Sequence, residues 1–175
     1  MSEATAVRRV PSEQSLDDID RQILRLLQEN GRMTNAALAE AVGLTATPML
    51  QRIKKLEQSG VLTGYAAIVD RFAVGRRTLA FVEVKLTEHR LPTHTRFVEA
   101  VRGFPEVLEC HHVAGDEDFV LKVLVRDIEE YESFLLHKLT RVSGIDRVKT
   151  TFVLSTRKDE RAIPVDGPDP EEASA

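Results

Sequence analysis

Apolar residues in the first third of the chain recur at helical spacing. Ile19, Ile23, Leu26 and Leu27 share one side of a helix that opens at Leu16-Asp17-Asp18 and stops at Asn30-Gly31. An aspartate there caps free backbone N–H groups, and Asp20 falls in the positive first turn. A second, short helix opens at Thr34 or Asn35, turns Leu38, Ala39 and Val42 inward and closes at Gly43, which permits a left-handed turn. Thr45 caps a third helix that runs to about Ser59, with Pro48 in the first turn, where a missing N–H does little harm.

Near Gly64 the pattern changes to strand-like runs. Tyr65 to Val69 reads as a short linking strand and Thr78 to Leu86 as a longer one, after which Pro92 to Phe104 is helical through Phe97, Val98 and Val101. Val107 to Ala114 and Asp118 to Val125 form two strands around the turn Gly115-Asp116-Glu117. Asp127 caps a helix through Tyr131, Phe134, Leu135 and Leu139, and Val148 to Leu154 is the last strand. Apart from the linking strand the order is β-α-β-β-α-β, the ferredoxin-like one. The fold class is therefore α+β: an N-terminal, winged-helix-like helix-turn-helix over 16–64, a linking strand and hinge over 65–77, and a ferredoxin-like domain over 78–160. Residues 1–15 and the acidic 161–175 read as flexible tails.

A sheet with both helices on one side leaves its other face open. Phe81, Val123, Val125, Phe152 and Leu154 are candidates for an apolar surface there, which predicts a homodimer with sheets meeting face to face.

At 175 residues and 30% charged, the chain has the composition of a folded globular protein. A net charge of -4 excludes coating nucleic acid by bulk attraction, so any DNA contact needs a local basic face. The third helix supplies one. Met49, Leu50, Ile53 and Leu56 cluster on one side of the wheel; Thr47, Gln51, Lys54, Lys55 and Gln58 share the other, with Arg52 at its flank. By itself this is also the pattern of an ordinary solvated helix. The preceding helix, tight turn and cap favour a helix-turn-helix whose last helix enters the major groove of double-stranded DNA. Thr45, Thr47, Gln51 and Lys55 then face the groove, while Arg52 and Lys54 reach phosphates.

Other chemistry finds little support. The single Cys110 permits neither an internal disulfide nor a cysteine zinc cluster. The start of the chain lacks a signal-peptide pattern, so a reducing cytoplasmic setting is expected. The longest apolar runs fall short of the roughly 20 residues of a membrane helix. His111 and His112, adjacent on a strand, point to opposite sides and cannot chelate together, so one is expected on the sheet surface and one packed inside. Cys110 is expected buried, as a small apolar residue. With no phosphate loop, nucleophile elbow or metal spacing, an enzyme is disfavoured, and neither a cofactor nor a metal site is expected.

Three stretches resemble the Lrp/AsnC family of feast-or-famine regulators: Leu16 to Leu24, the long run Leu44 to Tyr65, and the hairpin Glu109 to Lys122. The resemblance covers roughly residues 16 to 158. It implies dimers that assemble into tetramers, octamers or larger forms, and an amino-acid effector bound near the contact between dimers. It places the effector against the hairpin at Val113, Gly115, Asp116, Asp118 and Phe119, with Ile128 and the last strand at Thr150, Thr151 and Phe152 also implicated. His112 stands where leucine-responsive members carry an aliphatic residue, which implies a more polar or aromatic effector. Without the resemblance, Gly115 to Asp118 read as a plain turn rather than a pocket. Some members of the family wrap or bend DNA with little regulatory response, which is an alternative role.

Overall fold

The computed structural model describes residues 16–88 and 90–165, and the chain divides into two compact units. In the described residues one unit comprises 16–67 and 159–165, and the other 68–158. The expected tail 1–15 lies outside the described residues.

The first unit is three helices: α1 (Asp18–Glu29), α2 (Asn35–Ala41) and α3 (Ala46–Gln58). Local chemistry accounts for where they start. Asp20 N donates to Asp17 Oδ1 at 2.7 Å and Ala37 N to Thr34 Oγ1 at 3.2 Å, so two of the anticipated caps form. Thr45 occupies the N-cap position of α3, but its side chain makes no capping bond. Gly43, at φ 69°, makes the turn between α2 and α3, and Leu44 N donates back to Ala39 O at 2.8 Å. Ile23, Leu24, Leu27, Leu38, Ala39, Met49, Ile53 and Leu56 form the core. Leu50, expected inside, is 42% exposed, at the edge of the apolar stripe formed by the buried Met49, Ile53 and Leu56.

One result departs from the expectation of a free C-terminal tail from 161 onward. Gln28 and Arg21 of α1 hydrogen-bond the backbone of Ile163 and Val165, and Val165 packs on the core of this unit. Residues 166–175 lie outside the described residues.

The second unit is a four-stranded antiparallel sheet in the order β2-β3-β1-β4, built from β1 (Thr78–Leu86), β2 (Val107–His112), β3 (Phe119–Val125) and β4 (Ile145–Phe152). Helices α4 (Leu91–Arg102) and α5 (Ile128–His137) complete the ferredoxin-like order, with a 3-10 turn at Leu139–Arg141. Asp127 caps α5 by accepting from Glu130 N at 2.8 Å. The core is Ala80, Val82, Val84 and Leu86 of β1 and Phe119, Leu121, Val123 and Val125 of β3, packed on Phe97, Val101, Tyr131, Phe134 and Leu139.

That core corrects the expected open face. Val123 and Val125 are fully buried on the helix side, because β3 alternates in phase with the buried Phe119. Phe152 pairs with Ala80 and so also belongs to the helix side, where its ring lies 5.0 Å from that of Tyr131. Leu154 lies beyond β4 and is 98% exposed. Only Phe81 is on the far face, in register with Lys122 and Thr151. That face mixes Leu79, Phe81, Val120 and Leu124 with the ion pairs Lys122–Glu109 at 2.8 Å and Lys149–Glu83 at 3.0 Å. Residues 65–69 form no strand: Tyr65, Ile68 and Val69 are exposed and find no partner strand among the described residues.

Phe97 is fully buried and stacks 4.7 Å from Phe119, so Phe97→Ala should cost about 3–5 kcal/mol. Urea denaturation of the full chain, followed by near-ultraviolet circular dichroism, should show the loss.

Candidate DNA interface and ligand site

Helix α3 presents two different sides. Met49, Ile53 and Leu56 are buried, whereas Thr45, Thr47, Gln51, Lys54, Lys55 and Gln58 are exposed. Lys54 makes no ion pair among the described residues, so its charge is open to solvent.

Arg52 requires a correction. Its Nη1 lies 2.6 Å from Asp17 Oδ2 and 2.6 Å from Asp20 Oδ1, and the Asp20 side chain is fully buried. A buried carboxylate needs a partner, and Nη1 of the guanidinium is committed to that task, a structural role that the phosphate contact expected from the sequence did not include. Lys55 Nζ adds a looser contact, 3.6 Å from Asp20 Oδ2, while the lysine side chain stays 56% exposed. The backbone N–H of Asp20, and then Arg52, hold the Asp17 carboxyl below its usual range, and Asp17 and Asp20 push the Arg52 guanidinium further up. The network joins the start of α1 to the middle of α3.

In the other unit the hairpin turn runs from Val113 to Asp118, closed by Val113 N donating to Asp118 O at 3.0 Å. Gly115, at φ 144°, has a conformation open to glycine and costly for other residues. Gly115 and Asp116 are exposed. Asp118 is not: it is 7% exposed, and its Oδ2 accepts from Leu86 N at 2.8 Å. Its carboxylate therefore pins the base of the hairpin to the end of β1, a structural task beside the ligand contact expected of it. Glu117 pairs with Arg147.

His112 lies on the helix side of β2 and His111 on the other, as alternation requires. Both are exposed, so neither packs inside. The His112 ring sits 5.0 Å from His94 of α4 and 5.2 Å from Phe119. His94 escaped the sequence reading, since nothing in Pro92-Thr93-His94 marks it before the fold brings α4 onto β2. Its Nε2 is buried without a hydrogen-bond partner, 4.0 Å from Asp118 Oδ1. Next to these rings a groove of about 410 Å³ runs between α4 and β2, lined among others by Val98, Val101, Arg102, Cys110 and Phe119. Cys110 is exposed on this groove rather than buried in the core. Partial desolvation pushes its thiol up, with Arg102 opposing. Among the described residues no three His, Cys, Asp or Glu side chains group to hold a metal ion.

The expected effector residues fall into two groups. Val113 to Phe119 lie at one end of the sheet, where Phe119 pairs with Val84 and Val84 with Val148. Thr150 to Phe152 pair with Val82 to Ala80, toward the end where Val123 and Val125 lie and α5 begins at Ile128. Thr150 is half-buried and bonds the Tyr131 hydroxyl, whereas Thr151, Phe152 and Ile128 are exposed. Phe152 is level with Val123, four residues or roughly 13 Å along the strand from Phe119, whereas Thr150 is level with Leu121, two residues from Phe119.

Known proteins share both units. Residues 16–63 match the profile of a winged helix-turn-helix DNA-binding domain, and residues 79–163 that of the Lrp/AsnC ligand-binding domain. The DNA-binding transcriptional activator DecR of Escherichia coli K12 is 37% identical over 151 residues, which cover 86% of this chain and 99% of that protein. The leucine-responsive regulatory protein of Klebsiella pneumoniae is 36% identical over 148 residues, covering 85% of this chain and 90% of that protein. Among solved structures, an L-Met complex of a transcriptional regulator from Neisseria meningitidis superposes with a TM-score of 0.81 at 35% identity, covering 86% of this chain and 97% of that one. AsnC of E. coli gives 0.79 at 26% identity, with coverages of 85% and 98%.

A helix-turn-helix and a small-molecule-binding sheet on one chain define a ligand-responsive transcription regulator, not an enzyme. The chain belongs to the Lrp/AsnC family.

Two outcomes follow from the Asp20 network. Arg52→Ala strands a buried carboxylate and should cost about 3 kcal/mol, read by thermal unfolding of the helical unit. The depressed Asp17 carboxyl binds fewer protons folded than unfolded. Its contribution to stability is therefore present above pH 3.8, its ordinary value, and is lost as the pH falls through its lower folded pKa. Asp17→Asn should flatten that acid limb of the stability profile, and an unchanged limb would exclude Asp17 as its source.

Proposed function

We propose that this protein is a sequence-specific regulator that reads double-stranded DNA with α3 and whose DNA affinity is set by an amino acid bound at an interface between copies of the chain. The observation that carries the reading is the division of α3: one side is buried and tied to α1 by Arg52, while Thr47, Gln51 and Lys54 stand exposed on the other. Amides and hydroxyls at such positions read base edges in the major groove, and the lysines hold the backbone. Thr45, whose side chain makes no capping bond, adds a hydroxyl at the end of α3 that enters the groove first. Arg52 acts by positioning α3. Its target being chromosomal DNA, the protein acts in the cytoplasm.

The L-Met complex of the Neisseria relative supports an amino-acid effector. Backbone N–H groups of the Gly115 turn suit its carboxylate, and the exposed Asp116 suits its ammonium group. His112 and Phe119 offer an aromatic wall. An effector held at the Gly115 turn reaches Phe152 and Ile128 through a second chain, since Phe152 is level with Val123, roughly 13 Å along the sheet from Phe119. The protein therefore works as a homodimer that assembles further into tetramers or octamers. The mixed far face bearing Phe81 and Val120, and the unpaired Tyr65 to Val69, are the surfaces available for the dimer. Binding between dimers favours one assembly geometry and so one spacing of recognition helices. By linkage DNA changes effector affinity by the same factor, with coupling of about 1–3 kcal/mol.

Fluorescence anisotropy with DNA from upstream of the protein's own gene, over a salt series and with a pool of amino acids, tests both halves. Lys54→Ala should make the slope of log affinity against log salt shallower by about 0.9, one phosphate's worth, with equal weakening on all sequences. Asp116→Ala should leave DNA binding in place and remove the response to the pool. Binding no tighter than to random DNA would rule out the sequence-specific role, and a response surviving in Asp116→Ala would remove the ammonium site.

A further inference from the structure

The last described stretch of the chain returns to its first helix. Ile163 N donates to Gln28 Oε1 at 2.7 Å, and Gln28 Nε2 donates to Ile163 O at 3.1 Å. One side-chain amide thus pairs with one residue's backbone in both directions, as a neighbouring strand would. Arg21 Nη1 donates to Val165 O at 2.8 Å, and Val165 packs on the helical core. Arg21 and Gln28 are two helical turns apart and so share a face of α1. The segment lies antiparallel along that face, with 163 toward the C-terminal end of α1 and 165 toward its N-terminal end.

Two consequences distinguish this contact from an ordinary tail. Helix α1 also carries Asp17 and Asp20, the partners of Arg52, so the segment grips the helix that positions α3. The chain moreover passes between its two units twice, at residues 67–68 and again at 158–159. The second passage follows β4, six residues after Phe152. A second covalent tether, anchored on α1, restricts the freedom that a single linker would leave.

We propose that residues 159–165 are a strap through which the ligand-binding unit acts on the DNA-binding unit. Effector contact at the end of β4 changes the path of the chain that follows, and the seat of that chain on α1 transmits the change to the helices that present α3. The regulatory part of this inference rests on the effector reading above, while the seating of the strap does not.

The test uses the full chain and the double variant Arg21→Ala/Gln28→Ala, which removes the grip but keeps the segment. Hydrogen exchange comes first. The Ile163 amide, with Gln28 as its partner, should be protected in the unaltered chain and should exchange about tenfold faster or more in the double variant. An unprotected Ile163 amide in the unaltered chain overturns the seating. Anisotropy with the upstream DNA and the amino-acid pool comes second. The double variant should bind DNA within about threefold of the unaltered chain, and its effector-induced change, of order 5- to 150-fold for a coupled regulator, should fall toward onefold. Val165→Asp, which puts a charge against the helical core, should act in the same direction. A variant that has lost Ile163 protection yet responds fully overturns the strap alone. A protected, unaltered chain with no response to any amino acid overturns the effector reading and the strap's regulatory role with it.

Discussion

The Asp20 carboxylate is buried completely in the helical unit, and the arrangement of the recognition helix depends on how that charge is satisfied. An isolated buried carboxylate is not tolerated, so Arg52 must reach it from α3, and at 2.6 Å it also takes Asp17, the cap of α1. The pairing fixes the rotation of α3 about its own axis as surely as the burial of Met49 and Ile53 does. Once that rotation is set, Thr47, Gln51 and Lys54 can only face outward. The strap at 163–165 grips another part of the same helix, so α1 acts as the keel of the unit: one contact holds the reading helix and one holds the end of the chain.

In the ligand-binding unit the corresponding constraint is register. Phe119 opens β3 facing the helices, and every second residue after it follows inward to Val125. Asp118, one residue earlier, is drawn to the N–H of Leu86 and locks the hairpin at that register. A one-residue slip would expose the core and free the turn at once. The exposed turn is therefore a rigid presentation of Gly115 and Asp116. Of the residues expected to meet an effector, Phe119 and Phe152 lie four residues apart along the sheet, a separation that the proposed site between copies would span.

Much of this was legible in the sequence, for local reasons. The caps Asp17, Thr34 and Asp127, and the turn at Gly43, depend on neighbouring residues and read directly from them. The phase of β3 did not, because Phe119 to Val125 is apolar except at Lys122, and a nearly continuous apolar run hides its alternation. Arg52 looks like any base beside a recognition helix until the buried Asp20, 32 residues away, claims it. Asp118 similarly resembles a turn carboxylate until the strand pairing brings Leu86 beside it. Tyr65 to Val69 has the composition of a strand, but a strand needs a partner, and none is supplied among the described residues. The docking of 163–165 rests on backbone groups of the segment and on the single side chain of Val165, too little for a sequence signal.

The most direct test of the account is site-specific photo-cross-linking to DNA. A photoreactive amino acid is placed at position 51, on the exposed side of α3, and separately at position 91, the 80% exposed start of α4 in the ligand-binding unit. Cross-links to bases within the bound site are expected from position 51, and none to DNA from position 91. Cross-links from 91 but not from 51 would contradict this expectation, because the DNA would then lie on the sheet unit and α3 would be an ordinary solvated helix.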